Sequence, residues 1–214
     1  MGDTITRIEQ LEKLKPLLRQ VLELMGEDPD REGLIRTPDR WAAGLLSCTE
    51  GLYEVPETHL GDALEVEQND YSVDGSGEMI ILDNFECTSM CEHHVVPFRG
   101  RVDIGYIPDP ESRALAGLSK LVRVVQMFAK RLQVQERMTQ QIANIINQYL
   151  SPLGVIVVVQ AVHYCLIQGD VEQRYSLALS TARRGAFLTD KKLCLLYTSP
   201  SPRDRGCSRM PSSA

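Results

Sequence analysis

Two short segments, about seventy residues apart, both carry residues of the kind that bind metal ions. The first is Cys91–His94 and the second is His163–Cys165. Cys91 and His94 stand at a Cys-x-x-His spacing, which can place a thiolate and an imidazole on one ion, and Cys165 could add a third ligand from a distant strand. If the three side chains share an ion, the fold must bring the two segments together.

Three protein ligands leave one position of a tetrahedral zinc ion open to water, as in catalytic sites. Zinc lowers the pKa of such a water towards neutrality, so the pattern indicates a zinc hydrolase. Three of the four histidines lie in these segments, whereas His59 is predicted to be solvated surface. Two alternatives stay open: the cysteines could be thiols that only pack, or Cys87 could complete a closed structural site.

Composition limits the class of protein. A chain of 214 residues is one domain, or one domain with appendages. It has no apolar run of membrane-spanning length, and its first residues lack the pattern of a secretory signal. Its net charge of −6 argues against a general nucleic-acid binder. Six cysteines without an export signal favour reduced thiols, so we expect a cytoplasmic protein that binds neither nucleic acid nor membrane.

Hydrophobic periodicity predicts helices first and a sheet later. The predicted helices cover about residues 5–25, 37–52, 118–132 and 134–150, with Thr37 as the N-cap of the second, Pro16 kinking or splitting the first, and the last two nearly continuous. The predicted strands cover about 78–87, 99–107, 154–167 and 174–182. The apolar run 155–159 indicates a strand that is covered on both faces or lies at an interface. We therefore predict an α+β fold with helices on one face of an antiparallel sheet.

Three regions follow from this pattern. Residues 1–75 form a predicted N-terminal helical region, 76–190 the catalytic domain, and 191–214 a tail. The tail is rich in Ser, Pro and Arg and has no hydrophobic period, so we expect it to be disordered or non-native.

Several motifs together resemble the GTP cyclohydrolase I family. They occur in family order within about residues 8–187, and they are Gly26–Leu34, Thr37–Arg40, Cys91–Phe98, Gly117–Arg123 and Arg131–Arg137. The resemblance implies the tunnelling fold (T-fold) and a toroidal homodecamer with active sites shared between subunits. The implied reaction, a first step of folate or other pterin biosynthesis, converts GTP and water to formate and 7,8-dihydroneopterin triphosphate.

The resemblance also implies roles for individual residues. Cys91, His94 and Cys165 match the zinc ligands, and the zinc-bound hydroxide would attack C8 of the guanine. His163 matches a proton donor to the imidazole nitrogen, and an imidazole titrates in a suitable range. His93 matches a second histidine of the active site, near the ribose and phosphates. Ser119 matches a residue of the later rearrangement steps, although it could also be a helix N-cap.

Four further residues match the substrate-binding set. Gln135 and Glu136 match the pair that recognises guanine, where a carboxylate can accept two N–H bonds. Lys120 and Arg123 share a helix face and could meet a triphosphate. From the residues alone, Glu136 is better explained as a solvated acid at a helix start, and the two basic residues could be a solvated face.

One segment departs from the family pattern. An arginine that binds the triphosphate usually follows the position of Cys165 after a short spacer, but here Gly169 takes its place and Asp170 follows. Arg174, Arg183 or Arg184 could supply the missing charge. The alternative function is a T-fold protein that acts on a different purine substrate or only binds its ligand.

Proteins of other classes explain the sequence less well. A T-fold nitrile reductase would use a catalytic cysteine and NADPH, but no Gly-rich dinucleotide loop is present. A zinc nucleobase deaminase would need His-x-Glu and Pro-Cys-x-x-Cys, and neither occurs. A ring-forming module with a structural zinc remains the non-enzyme alternative.

Overall fold

A computed structural model describes residues 6–60, 64–65, 79–111, 114–168 and 176–189 of the chain. The first part is helical, with α1 (Arg7–Leu24), α2 (Thr37–Ser47), a 3-10 helix (Glu50–Tyr53) and α3 (Glu57–Leu60). None of the helices in the described ranges combines the length and the hydropathy of a membrane span.

Local sequence explains where α1 and α2 begin. Thr6 and Glu9 form a reciprocal capping box at the start of α1, which continues through Pro16 as one helix, so the predicted split does not occur. The N-cap of α2 is Arg36 rather than the predicted Thr37, which is already helical and precedes Pro38. This helix ends at Ser47, and the 3-10 turn takes the rest of the segment predicted to be helical.

A five-stranded sheet forms the centre of the molecule, in the order β5–β2–β3–β6–β7. Its four long strands pair antiparallel with one another. They are β2 (Ile80–Cys91), β3 (Pro97–Ile107), β6 (Gly154–His163) and β7 (Ala178–Gly185). The short edge strand β5 (Leu132–Gln133) runs parallel to β2. A separate ribbon pairs β1 (Leu64–Glu65) with β4 (Ala114–Leu115).

Helices α4 (Leu118–Ala129) and α5 (Gln135–Leu150) pack on one face of this sheet. Their apolar residues form the main core with every second residue of β3 and β6, for example Val102, Val157 and Val159. The observed architecture is therefore the predicted α+β arrangement with helices on one face of the sheet. The predicted near-continuity of α4 and α5 is wrong, because β5 lies between them.

The strand β6 is covered on both faces, as its apolar run predicts. Its odd-numbered valines face α5, while Ile156 and Val158 join Phe187 in a second cluster on the opposite face. Phe187 belongs to the short helix α7 (Ala186–Thr189), which follows β7. The strand ends at His163, earlier than predicted, and residues 164–168 form α6 (Tyr164–Gln168) instead.

Candidate active site

Three potential metal ligands converge at one end of the sheet. Cys91 is the buried last residue of β2, His94 lies in the loop between β2 and β3, and Cys165 is in α6, directly after β6. Their ligand atoms all lie within 4.8 Å of one another, and Cys91 Sγ is 3.9 Å from His94 Nδ1. Because β3 pairs with both β2 and β6, the topology removes the long sequence separation between these residues.

The electrostatics of this cluster suit a cation. Burial raises the pKa of the Cys165 thiol, and the neighbouring Cys91 raises it further. A bound metal ion would reverse this shift, because it favours the thiolate form of its ligands. Two sulfur atoms and one imidazole nitrogen form a donor set that fits a transition metal.

The loop between β2 and β3 holds both of its histidines next to Cys91. The backbone N–H of Cys91 donates to the carbonyl of Val96, and the N–H of Val95 donates to the carbonyl of Cys91, both at 2.8 Å. Val95 has a φ of 53°, a left-handed conformation that a β-branched residue rarely adopts. His93 is exposed, and its Nδ1 lies 4.0 Å from Cys91 Sγ, so this predicted site residue also lies beside the cluster.

His163, the last residue of β6, is held by two neighbours. Its ring stacks on Phe98 with centroids 4.6 Å apart, and its Nε2 lies 2.8 Å from Oε1 of Gln135. Burial lowers the pKa of His163, and the nearby carboxylate of Glu136 opposes that shift. Three of the predicted site residues, His163, Gln135 and Glu136, are therefore close together at the end of the sheet that carries Cys165.

The two residues of the predicted guanine-binding pair have different surroundings. The Gln135 side chain is buried, and its Nε2 contacts the carbonyls of Val159 and Ala178 and the hydroxyl of Ser180 at 3.0–3.1 Å. Glu136 is exposed in the first turn of α5. Gln135 thus ties α5 to β6 and β7, while the Glu136 carboxylate remains accessible to a ligand.

Ser119, Lys120 and Arg123 lie at the other end of the sheet within the same chain. They occupy the first turns of α4, which follows Ala116, and the N–H of Ala116 donates to the hydroxyl of Tyr106. Tyr106 pairs with the first residue of β2, whereas Cys91 is its last. Along the axis of α4, Ser119 lies about 15 Å and Arg123 about 9 Å from the end of the helix, and it is that end that leads into β5 beside Cys91.

The two arginines near the end of β7 lie at that same remote end. Arg183 and Arg184 pair with Ile156 and Val155, near the start of β6, whereas Cys165 follows its end. Arg184 is also bound to Asn144 and Gln140 of α5. Both arginines therefore lie away from the Cys165 end of the sheet within their own chain. Gly169, Asp170 and Arg174 lie outside the described residues.

The surroundings of Cys87 and His59 differ from two of the expectations above. Cys87 faces the core, four residues before Cys91 on β2 and therefore about 13 Å away, and burial raises the pKa of its thiol to about 12. It does not belong to the only group of three or more potential ligands within the described part of the chain, so it is not a fourth ligand. His59 is half-buried rather than solvated, and its Nε2 lies 2.7 Å from the Glu54 carboxylate.

Three residues beside the loop between β2 and β3 have no role in the motifs described above. Arg137 forms an ion pair with Glu92, and its Nε donates to Oε1 of the buried Gln133 at 3.2 Å. Gln133 is the last residue of β5 and Arg137, four residues later, lies in the first turn of α5, so the short connection between them brings the two side chains together. That spacing was the signal available in the sequence, together with the position of Glu92 next to Cys91.

Comparison with known proteins agrees with this geometry. The GTP cyclohydrolase I family matches the chain over residues 14–197. The GTP cyclohydrolase 1 of Neurospora crassa is 42% identical over 191 residues, which cover 89% of this chain and 58% of that protein. The GTP cyclohydrolase 1 of Porphyromonas gingivalis is 46% identical over 183 residues, which cover 86% of this chain and 90% of that protein.

A solved structure of apo archaeosine synthase QueF-Like aligns with 51% of this chain and 96% of its own, with a TM-score of 0.42 and 16% identity. The family match extends over most of the chain and includes every predicted site residue. The chain spans 58% of the Neurospora protein and 90% of the Porphyromonas protein. The chain therefore belongs to the GTP cyclohydrolase I family of enzymes.

Proposed function

We propose that this protein catalyses the reaction for which its family is named, with zinc as the metal. GTP and water would give formate and 7,8-dihydroneopterin triphosphate. The observation that carries this proposal is the convergence of Cys91, His94 and Cys165 on one point beside His163. The cysteines in the described part of the chain are free thiols, which supports a reducing compartment such as the cytoplasm.

The donor atoms fit a tetrahedral zinc ion. Zinc–sulfur and zinc–nitrogen bonds of about 2.3 and 2.0 Å put a tetrahedral sulfur and nitrogen about 3.5 Å apart, within about 0.4 Å of the 3.9 Å between Cys91 Sγ and His94 Nδ1. Three protein ligands leave one position open, as a catalytic site requires. When bound, zinc supplies Lewis acidity and lowers the pKa of a water molecule to near neutrality.

His163 is suited to transfer a proton at its Nδ1 atom. The Gln135 amide nitrogen faces two carbonyl oxygens, so its side-chain oxygen must be the atom that faces His163. An amide oxygen only accepts, so His163 Nε2 carries a hydrogen and donates it. This arrangement fixes the tautomer of the neutral ring and leaves Nδ1 to take up or release the exchangeable proton.

Glu136 is the residue best placed to recognise guanine. Its carboxylate is exposed beside His163, and it could accept two N–H bonds from the edge of the base. Gln135 already uses its amide to hold β6, β7 and His163. We therefore assign guanine recognition to Glu136 and the positioning of His163 to Gln135.

The remaining half of the substrate site would come from another copy of the chain. Ser119, Lys120 and Arg123 lie towards the end of α4 that is remote from Cys91, which supports their acting on a GTP molecule bound at another chain's cluster. In an oligomer, the start of α4 of one subunit could meet the metal cluster of its neighbour. This supports the toroidal homodecamer implied by the family resemblance, in which Lys120 and Arg123 would bind the triphosphate.

Formate release and pterin fluorescence from the full chain, with zinc quantified and with GTP and GDP in parallel, test the proposal. Turnover of GTP at about one zinc per chain would support it and would show that Gly169 is compensated elsewhere. Zinc without product from GTP would favour the second candidate, a T-fold protein with an altered purine substrate or a binding-only role. Absence of bound zinc would contradict the metal assignment.

A further inference from the structure

The position of His94 depends on a loop that the sheet holds only at its base. Cys91 and Val96 close the loop through the backbone, and Glu92, at its start, is tied to β5 because its N–H donates to the carbonyl of Gln133 at 3.0 Å. Beyond that point, apart from the bond from the Val95 N–H to the Cys91 carbonyl, the loop is anchored by side chains. The Glu92 carboxylate forms an ion pair with Arg137, and its other oxygen lies 3.9 Å from His93 Nε2.

Arg137 contacts this loop and the strand beside it at the same time. Its Nη2 donates to the Glu92 carboxylate and to the carbonyl of Leu132, the latter at 3.2 Å. Its Nε donates to Oε1 of Gln133, also at 3.2 Å. A planar guanidinium with donors in a fixed fork can serve three acceptors at once, which the single ammonium of lysine does less well.

Gln133 gives this arrangement a rigid base. Its side chain is 2% exposed, and its Nε2 donates to the carbonyl of Phe128 at 3.0 Å and to Oε1 of Gln141 at 2.9 Å. Both N–H groups of the amide are therefore used, and its oxygen faces Arg137. The buried end of α4 and the first turns of α5 thus fix the orientation of the arginine, and the arginine fixes Glu92.

We propose that Arg137 is a positioning residue for the metal centre, acting through Glu92 on the loop that carries His93 and His94. This inference rests on the proposed function, because it assumes that Cys91, His94 and Cys165 bind the metal. The Arg137–Glu92 pair is half-exposed, and such pairs add little to global stability. Its role is therefore to hold the loop in the geometry that brings His94 to the two thiols.

Zinc affinity of the full-length protein, measured by competition with a chromogenic chelator, tests this role without relying on turnover. Arg137→Met should weaken zinc binding about ten- to a hundredfold, as is typical when residues that orient metal ligands are lost. Arg137→Lys should recover part of the affinity, because it keeps the charge beside Glu92 but not the fork. The absorption spectrum of the cobalt-substituted protein should change in Arg137→Met, since His94 is less firmly held.

A double-mutant cycle with Glu92→Gln separates a shared role from two independent ones. If Arg137 acts through Glu92, the double variant should bind zinc about as weakly as Arg137→Met alone. Arg19→Met is the matched control. Arg19, in α1, also pairs with an exposed carboxylate, that of Asp30 in the turn between α1 and α2. Its zinc affinity should equal that of the wild type.

Three results would overturn the inference, and each has a different meaning. Wild-type zinc affinity and an unchanged cobalt spectrum in Arg137→Met would overturn the positioning role alone. A wild-type protein that binds no zinc would overturn both this role and the proposed metal centre. An equal loss of zinc affinity and of thermal stability in Arg137→Met, not recovered by Arg137→Lys, would show a merely structural role.

Discussion

The Nε2 atom of His163 lies 2.8 Å from the side-chain oxygen of Gln135, whose amide nitrogen in turn contacts carbonyls on two neighbouring strands. The orientation of the His163 imidazole, close to Cys165, is thereby linked to the pairing of β6 with β7. A change at Gln135 should therefore affect both the sheet and the chemistry.

Gln135→Leu should be destabilising as well as slow. The substitution leaves the buried carbonyl of Val159 and the part-buried carbonyl of Ala178 without their side-chain donor, which should lower the free energy of unfolding by about 2–4 kcal/mol. The loss of a fixed His163 should reduce formate release about tenfold or more. Thermal unfolding and a formate assay check both effects. Gln160→Leu, at an exposed position of β6, is the control. Wild-type behaviour of Gln135→Leu would contradict this account.

Removal of a metal ligand should abolish turnover and leave the protein folded. We expect Cys165→Ser and His94→Ala to bind little zinc and release no formate, because two ligands hold zinc weakly. Cys48→Ser, which removes a half-buried thiol outside the cluster, should keep both. Metal analysis, formate release and light scattering check this. Unfolding or disassembly of Cys165→Ser would instead indicate a structural zinc, and full activity without zinc would exclude the metal mechanism.

Glu136→Ala should lose selectivity for guanine. Removal of charge-assisted bonds to the base should weaken GTP binding about ten- to a hundredfold and affect ATP binding much less. Competitive binding of GTP and ATP to the zinc-loaded variant measures this. Glu23→Ala, on the surface of α1, serves as the control. If the discrimination between GTP and ATP is unchanged, Glu136 does not recognise the base.

A shared active site predicts that two inactive variants can restore activity together. Cys165→Ser damages the metal end of each chain, and Arg123→Glu reverses a charge at the start of α4, at the other end of the sheet. Equal amounts that are dissociated and reassembled should recover about a quarter of wild-type sites, since a site then draws both halves at random. The same variants mixed without dissociation are the control. Complete inactivity after proven subunit exchange would argue against sharing.

Cys87 should make the protein sensitive to alkaline pH. Burial raises the pKa of its thiol to about 12, whereas in the unfolded chain it ionises at about pH 9. Its contribution to stability is complete below about pH 9 and is lost as the pH rises towards 12, at about 1.4 kcal/mol per pH unit. Thermal unfolding between pH 8 and about 10.5 should therefore decline more steeply in the wild type than in Cys87→Ala. Cys48→Ala should follow the wild type; equal slopes in all three would contradict the shift.

The strands and main helices could be predicted because their signals are local. The valine-rich run of β6 and the periodicity of α4 and α5 depend on neighbouring residues, and the predicted bounds lie within a few residues of those observed. The helix α6 could not be predicted in this way. Residues 164–167 continue an apolar pattern, but Phe98 is the partner of His163 and β3 begins one residue earlier, at Pro97, so the chain has no strand left to pair with.

The same distinction between local and tertiary signals applies to the residues of the site. The chemistry of thiolates and imidazoles predicted which residues converge, because few other groups can hold a transition metal. The remote position of Ser119, Lys120 and Arg123 depends on tertiary distances, which spacing along a helix does not contain. The contact between Gln133 and Arg137 could not be predicted, because polar residues around the start of a helix usually indicate a solvated surface.

If the separation of Cys91 from the start of α4 means that chains share their sites, protein concentration also controls catalysis. If each site needs residues from two chains, a dissociated subunit has no complete site, although its fold and its metal ligands are intact. Specific activity should then fall on dilution as the assembly dissociates, and any ligand that binds across two subunits should restore it by mass action.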